Sequence, residues 1–96
     1  MNVEFMISKV KSKGATIVDV RTMEEFSMGH VENAVNIPIH EVLEKMEEFK
    51  AMTKPLILCC ASGNRSGQVV KFLLDQGVTD VHNGGGWNEV VHMLED

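Results

Sequence analysis

Apolar and polar residues alternate in two rhythms along this chain. Short, nearly continuous apolar runs occur at Thr16–Val20, Ala34–Ile37, Leu56–Cys59 and Val78–His82, and these read as strands. Leu56–Cys59 is the most hydrophobic and is predicted to be central, because strands covered on both faces lose the polar half of the alternation. Between the runs, apolar residues recur with helical spacing. Met6, Ile7 and Val10 mark a short helix over Val3–Val10. Val42, Leu43, Met46 and Phe49 mark one over His40–Met52, and Val69, Val70, Leu73 and Leu74 one over Arg65–Gln76. Trp87, Val90, Val91 and Leu94 give i, i+3, i+4, i+7 in the last helix.

The punctuation agrees. Gly14 stops the first helix, Pro38 ends the second strand, Pro55 closes the next turn, and Gly77 caps the Arg65–Gln76 helix. Arg21–Gly29 reads as a turn with one helical turn at Glu24–Met28, and Asn83–Gly86 as a glycine turn. Strands alternating with helices predict an α/β fold, with a parallel sheet of four to five strands and helices on both faces. The 96 residues make a single domain, 1–96.

Composition adds exclusions. The values of 44% hydrophobic and 24% charged are ordinary for a globular chain. A net charge of −5 argues against nucleic acid and anionic membrane surfaces as partners. No apolar run approaches the ~20 residues of a membrane span, and the N-terminus lacks the pattern of a secretory signal. The two cysteines, Cys59 and Cys60, are adjacent. Neighbours in a strand point to opposite faces, so free thiols and a reducing, cytoplasmic setting are expected. His30, His40, His82 and His92 show no ligand spacing, so no metal and no cofactor are predicted.

The candidate chemistry lies in Leu56–Val70, read as strand, tight loop and helix. Ligands bind at the carboxyl ends of strands in open parallel sheets, and the free N–H groups of a following helix favour an anion there. Cys60 stands at that point and is the predicted nucleophile; Cys59 is read as a small buried hydrophobe. An ordinary thiol, with a pKa of ~8.5, is only ~3% thiolate at pH 7, so converging amides matter.

Cys60-Ala61-Ser62-Gly63-Asn64-Arg65-Ser66 resembles the active-site loop of the rhodanese family of sulfurtransferases. Asp19-Val20-Arg21, Glu25-Phe26, Gly29-His30-Val31, Ala34 and Asn36-Ile37-Pro38 resemble that family's other signature, and Gly85-Gly86-Trp87 fits its closing helix. The resemblance runs from Ile17 to Trp87. It implies the rhodanese fold near its minimum size, with an N-terminal strand absent or reduced to residues 1–5. It also implies double displacement. Cys60 takes a sulfane sulfur from a small-molecule donor such as thiosulfate or a persulfide. It then passes that sulfur to a thiol, to cyanide or to a sulfur-relay protein.

Within this picture Ala61, Ser62, Gly63, Asn64, Arg65 and Ser66 form the substrate-binding loop. Arg65 either supplies charge and planar donors to an anion or ties the loop to the scaffold, and the two uses are compatible. Asp19, Arg21 and Glu25 read as a bracing cluster, with Asp19 or Glu25 paired to Arg21, and His30 as a turn-fixing residue. Three features depart from the family pattern. Cys59 stands where an aromatic residue is common, Glu32-Asn33 replaces a Pro-Gly turn, and Ala61 stands where a basic or larger polar residue is frequent. The last predicts weak capture of thiosulfate. Two other readings use the same residues: arsenate reductase or phosphatase chemistry, whose loops are one residue longer, and a non-catalytic binding module.

Overall fold

A computed structural model describes residues 3–12 and 14–95. Its four parallel strands are β1 (Thr16–Asp19), β2 (Val35–Asn36), β3 (Leu56–Cys60) and β4 (Val81–Gly86), in the order β2-β1-β3-β4. Five α-helices accompany them: α1 (Val3–Lys11), α2 (Met23–Ser27), α3 (Met46–Ala51), α4 (Asn64–Asp75) and α5 (Trp87–Leu94). The α/β architecture with helices on both faces is thus as the sequence predicts. An N-terminal strand at residues 1–5 is not found where it can be judged. Residues 3–5 are already helical, and residues 1 and 2 lie outside the described residues.

β3 is central and buried along its whole length, and its side chains divide the core. Leu56, Leu58 and Cys60 join Val18, Val20, Phe49 of α3, and Val69 and Leu73 of α4 on one face. Ile57 and Cys59 join Ile17, Val31 and Val90 of α5 on the other, with Val10 of α1 packed beside them. The period of two in a strand therefore sends the adjacent thiols to opposite faces. The side chain of Met6, expected on the apolar face of α1, lies outside the described residues.

Two segments differ from the sequence reading. The helix expected over His40–Met52 is broken into 3₁₀ turns at Ile39–Glu41 and Leu43–Lys45, followed by the short α3. The chain enters this segment tied to the sheet by Ile39 N–H bonding to the Val20 carbonyl at 3.0 Å. It then winds tightly, Glu41 N–H reaching the Pro38 carbonyl at 2.8 Å and Lys45 N–H the Val42 carbonyl at 3.1 Å. That winding buries Val42 and Phe49 and leaves Leu43, expected beside that apolar face, exposed.

The second difference is the glycine run. Strand β4 begins three residues later than expected and continues through Asn83-Gly84-Gly85-Gly86, the segment read as a turn. The reason is close approach. A Cβ on Gly84 would sit 2.8 Å from Ile57 Cγ2, and one on Gly86 would sit 2.8 Å from the Ala61 carbonyl oxygen. Only a strand without side chains there can lie against β3 and the loop beyond it. Between Leu58↔Asn83 and Cys59↔Gly85 the register slips by one residue, a β-bulge.

Candidate active site

Cys60 is the last residue of β3 and is 1% exposed, scarcely more than Cys59 at 0%. Exposure does not separate the two free thiols; their surroundings do. Cys59 lies among apolar groups. Burial, reinforced by the nearby Asp19 carboxylate and only partly opposed by Arg21, pushes its thiol up to about 12. Burial also pushes Cys60 up, but donors outweigh it. The Ser66 hydroxyl and the amides of Ser66, Ser62 and Gly63 together hold Cys60 below the ordinary thiol value. Gly63 N–H points at Cys60 Sγ from 3.0 Å, Ser66 N–H from 3.4 Å and the Ser66 hydroxyl from 3.4 Å.

The local chain makes this cradle readily. Ala61 to Gly63 turn out of the strand, and Gly63 takes φ 97°, a left-handed conformation that suits glycine. Helix α4 starts at Asn64, one residue earlier than expected, so the first-turn N–H of Ser66 faces back toward the sulfur. Ala61, Ser62 and Asn64 are exposed on the loop, while Ser66 is buried.

Arg65 is tied to Glu25. Its Nη1 and Nη2 donate to Oε1 and Oε2 at 2.8 and 3.0 Å, with both side chains about one-third exposed. Glu25 also accepts the Thr22 N–H at 3.1 Å, while Thr22 Oγ1 accepts the Glu25 N–H at 3.1 Å. This capping box starts α2. The Arg65 hydrogen bonds and the Thr22 amide hold Glu25 at about 2.

Arg21 does not share Glu25; it belongs to Asp19 alone of the two carboxylates considered. Its Nε and Nη2 reach the Asp19 carboxylate at 2.8 to 3.0 Å, and its Nη2 also donates to the Gly29 carbonyl at 2.7 Å. The pair is almost wholly buried, and the guanidinium lies 4.7 Å from the centre of the Trp87 ring. Asn36 closes the turn, donating to the carbonyls of both Asp19 and Arg21 at 3.0 Å. His30 stacks on Phe26 with ring centres 3.7 Å apart, and its Nδ1 meets the Phe26 carbonyl at 2.7 Å.

Sequence reading passed over Asn83. Its side chain donates to the Gly63 carbonyl at 2.9 Å and accepts the Ser66 hydroxyl at 2.7 Å and the Gly85 N–H at 3.0 Å. The available signal was the run of three glycines after it, which marks a strand awaiting close approach. The Thr22-x-x-Glu25 spacing was a second unused signal, for a helix start. Among the described residues, no group of three or more His, Cys, Asp or Glu side chains could hold a metal ion.

Comparison with known proteins matches residues 3–93 to the family described as the rhodanese-like domain. Thiosulfate sulfurtransferase PspE of Escherichia coli is 34% identical over 74 residues, 76% of this chain and 71% of that protein. Thiosulfate sulfurtransferase GlpE of Pseudomonas syringae is 31% identical over 81 residues, 84% of this chain and 76% of that protein. The solved structure of a rhodanese-related protein from Thermoplasma volcanium superimposes with a TM-score of 0.77 at 31% identity, covering 96% of this chain and 89% of that one.

Proposed function

This chain belongs to the rhodanese-like family, and we propose that it is a sulfurtransferase carrying a sulfane sulfur on Cys60. The observation that supports this reading above others is the convergence of backbone amides and a hydroxyl on one sulfur, with the neighbouring thiol left without such donors and pushed up to about 12.

In the first half-reaction the Cys60 thiolate attacks the outer sulfur of thiosulfate. The new bond joins Sγ to that sulfur, the old sulfur–sulfur bond breaks, and sulfite leaves with the electron pair. The persulfide Cys60-S-S⁻ keeps one negative charge, and amides set before the reaction suit such an anion. In the second half-reaction cyanide or a thiolate attacks the outer sulfur and Cys60 leaves as thiolate. Neither step needs a dedicated general base once the thiol is ionised. A persulfide serves equally as donor, and the cysteine of a sulfur-relay protein as acceptor.

The exposed loop residues Ala61, Ser62 and Asn64 would meet the substrates, and Gly63 and Ser66 the sulfur itself. Arg65 would hold positive charge at the loop while Glu25 fixes its orientation. Asp19, Arg21 and His30 would brace the turn beside it. Two adjacent free thiols fit a reducing compartment such as the cytoplasm. The test is mass spectrometry of the protein after thiosulfate treatment. A gain of one sulfur atom, mapped to the Cys60 peptide and removed by cyanide, is expected. An unmodified Cys60 under conditions that yield thiocyanate would overturn the reading.

A further inference from the structure

The Ser66 hydroxyl has one proton and two acceptors, Asn83 Oδ1 at 2.7 Å and Cys60 Sγ at 3.4 Å. Asn83 Oδ1 also accepts the Gly85 N–H at 3.0 Å, so it keeps a partner if the hydroxyl turns to an anionic sulfur. The other end of the same amide donates to the Gly63 carbonyl at 2.9 Å. Asn83 therefore touches two of the residues whose N–H groups serve Cys60 Sγ, Gly63 and Ser66, without touching the sulfur itself.

The surroundings are shaped to admit this amide. The β-bulge between Asn83 and Gly85 sets β4 out of register at this point. A Cβ on Gly67 would come within 3.1 Å of Asn83 Nδ2, and one on Gly63 within 3.1 Å of Gly85 Cα. Glycines thus leave room for the Asn83 amide between the loop, the first turn of α4 and the bulge.

We propose that Asn83 is the positioning residue of the sulfur site, holding Gly63 and Ser66 as one array of donors for an anionic sulfur on Cys60. The proposal rests on the reading of Cys60 as the sulfur carrier. Its consequence is that the Cys60 thiolate is stabilised by a residue of β4 acting through two others. The charged or titratable groups around Cys60 are Arg65 with its partner Glu25, the Asp19–Arg21 pair at the end of β1, Glu89 beside Gly86, and Cys59. All of these stay in place in the variants below.

The test is an ultraviolet titration of the Cys60 thiolate. The chain has no tyrosine to interfere, and Cys59 titrates only near 12. Removing Asn83 alone would also free the Ser66 hydroxyl to serve Cys60 full time, so the comparison is made in Ser66→Ala. There Asn83→Leu should raise the Cys60 midpoint by a further ~1 unit, roughly tenfold less thiolate at a pH below both midpoints. In the same background the uncharged Asn83→Ala, which likewise cannot donate to Gly63, should raise the midpoint to a similar extent. Asn83 is exposed, so each double variant is expected to stay folded, which its urea unfolding curve beside that of Ser66→Ala checks. Either double variant titrating with Ser66→Ala would overturn the proposal. Shifted midpoints uphold it even where mass spectrometry finds no persulfide on Cys60, a result that would instead overturn the sulfurtransferase reading.

Discussion

The guanidinium of Arg65 grips the carboxylate of Glu25 through two parallel hydrogen bonds of 2.8 and 3.0 Å, joining residues 40 apart in sequence. The contact fastens the first turn of α4 to the capping box of α2, so the two halves of the loop neighbourhood are held together. A fork of this kind is directional, which an ammonium group is not. Arg65→Lys should therefore keep the charge yet lower sulfur transfer about tenfold, because the loop loses a fixed orientation. Steady-state thiocyanate formation measures it, and an unchanged rate would mean that the fork is irrelevant to the loop.

The same pair sets a pH dependence. Glu25 is held at about 2, below the ordinary 4.5, by the Arg65 hydrogen bonds first and the Thr22 amide second. A depressed carboxylate stabilises the fold above its unfolded pKa, and that contribution is lost as pH falls through the folded value. The window is therefore between about 4.5 and about 2. Because both partners are one-third exposed, solvent screening limits the contribution to roughly 0.5–1 kcal/mol. Urea unfolding of Glu25→Gln should show that deficit at pH 7, with the two proteins converging near pH 2. A constant gap across the window would assign the loss to the capping box alone.

Buried charge behaves differently at Asp19–Arg21. Both side chains are nearly sealed from water and the guanidinium has three kinds of partner: carboxylate, carbonyl and ring. Removing either member leaves the other charged and unpaired, at a cost of about 3–5 kcal/mol. Arg21→Gln and Asp19→Asn should each lower stability by that order. A loss below about 1 kcal/mol would show that water reaches the pair.

How much of this the sequence revealed depends on whether the cause was local. Leu56–Cys60 announces a central strand because five buried positions in a row need apolar side chains. The loop and its helix are legible for the same reason, since turn chemistry and helical spacing are short-range. Pairing of charges is not. Arg65, Arg21, Asp19 and Glu25 allow several pairings, and only the fold, which brings the start of α2 within reach of Arg65, assigns Glu25 to it. The broken segment after Pro38 was illegible because apolar spacing of three and four residues fits an α-helix and a string of 3₁₀ turns alike. Asn83 was hard to read because the glycine run after it fits a turn as well as a strand awaiting close approach. A strand that forms for lack of side chains looks like a turn in sequence.

Gly86 tests that last argument. Its φ of −74° suits any residue, so only space opposes a side chain there. A methyl group would sit 2.8 Å from the Ala61 carbonyl oxygen, at the foot of the loop. Gly86→Ala should cost about 1–3 kcal/mol by overpacking and reduce sulfur transfer by more than tenfold, as the loop is pushed off its donors' alignment. Wild-type activity in a folded Gly86→Ala would mean that the loop yields without harm.

The final prediction separates sulfur chemistry from phosphate chemistry. Cys60 to Arg65 spans six residues inclusive, and the N–H of Gly63 within it and of Ser66 just beyond it converge on Sγ at 3.0 and 3.4 Å. A loop this short is expected to suit one further sulfur better than a tetrahedral set of oxygens. Wild type should form thiocyanate from thiosulfate and cyanide, and should hydrolyse aryl phosphates negligibly. Inserting one glycine between Ser62 and Gly63 widens the loop where the backbone is most permissive. The inserted residue moves Gly63 N–H away from the sulfur, and misplacement by ~1 Å is enough to lose most of a positioned group's effect. Sulfur transfer should therefore fall by about a hundredfold, while affinity for phosphate or arsenate rises from nothing measurable. Both assays are run on both proteins. Robust phosphatase activity in wild type, with no persulfide on Cys60, would assign the loop to oxyanions and reverse the reading of its length.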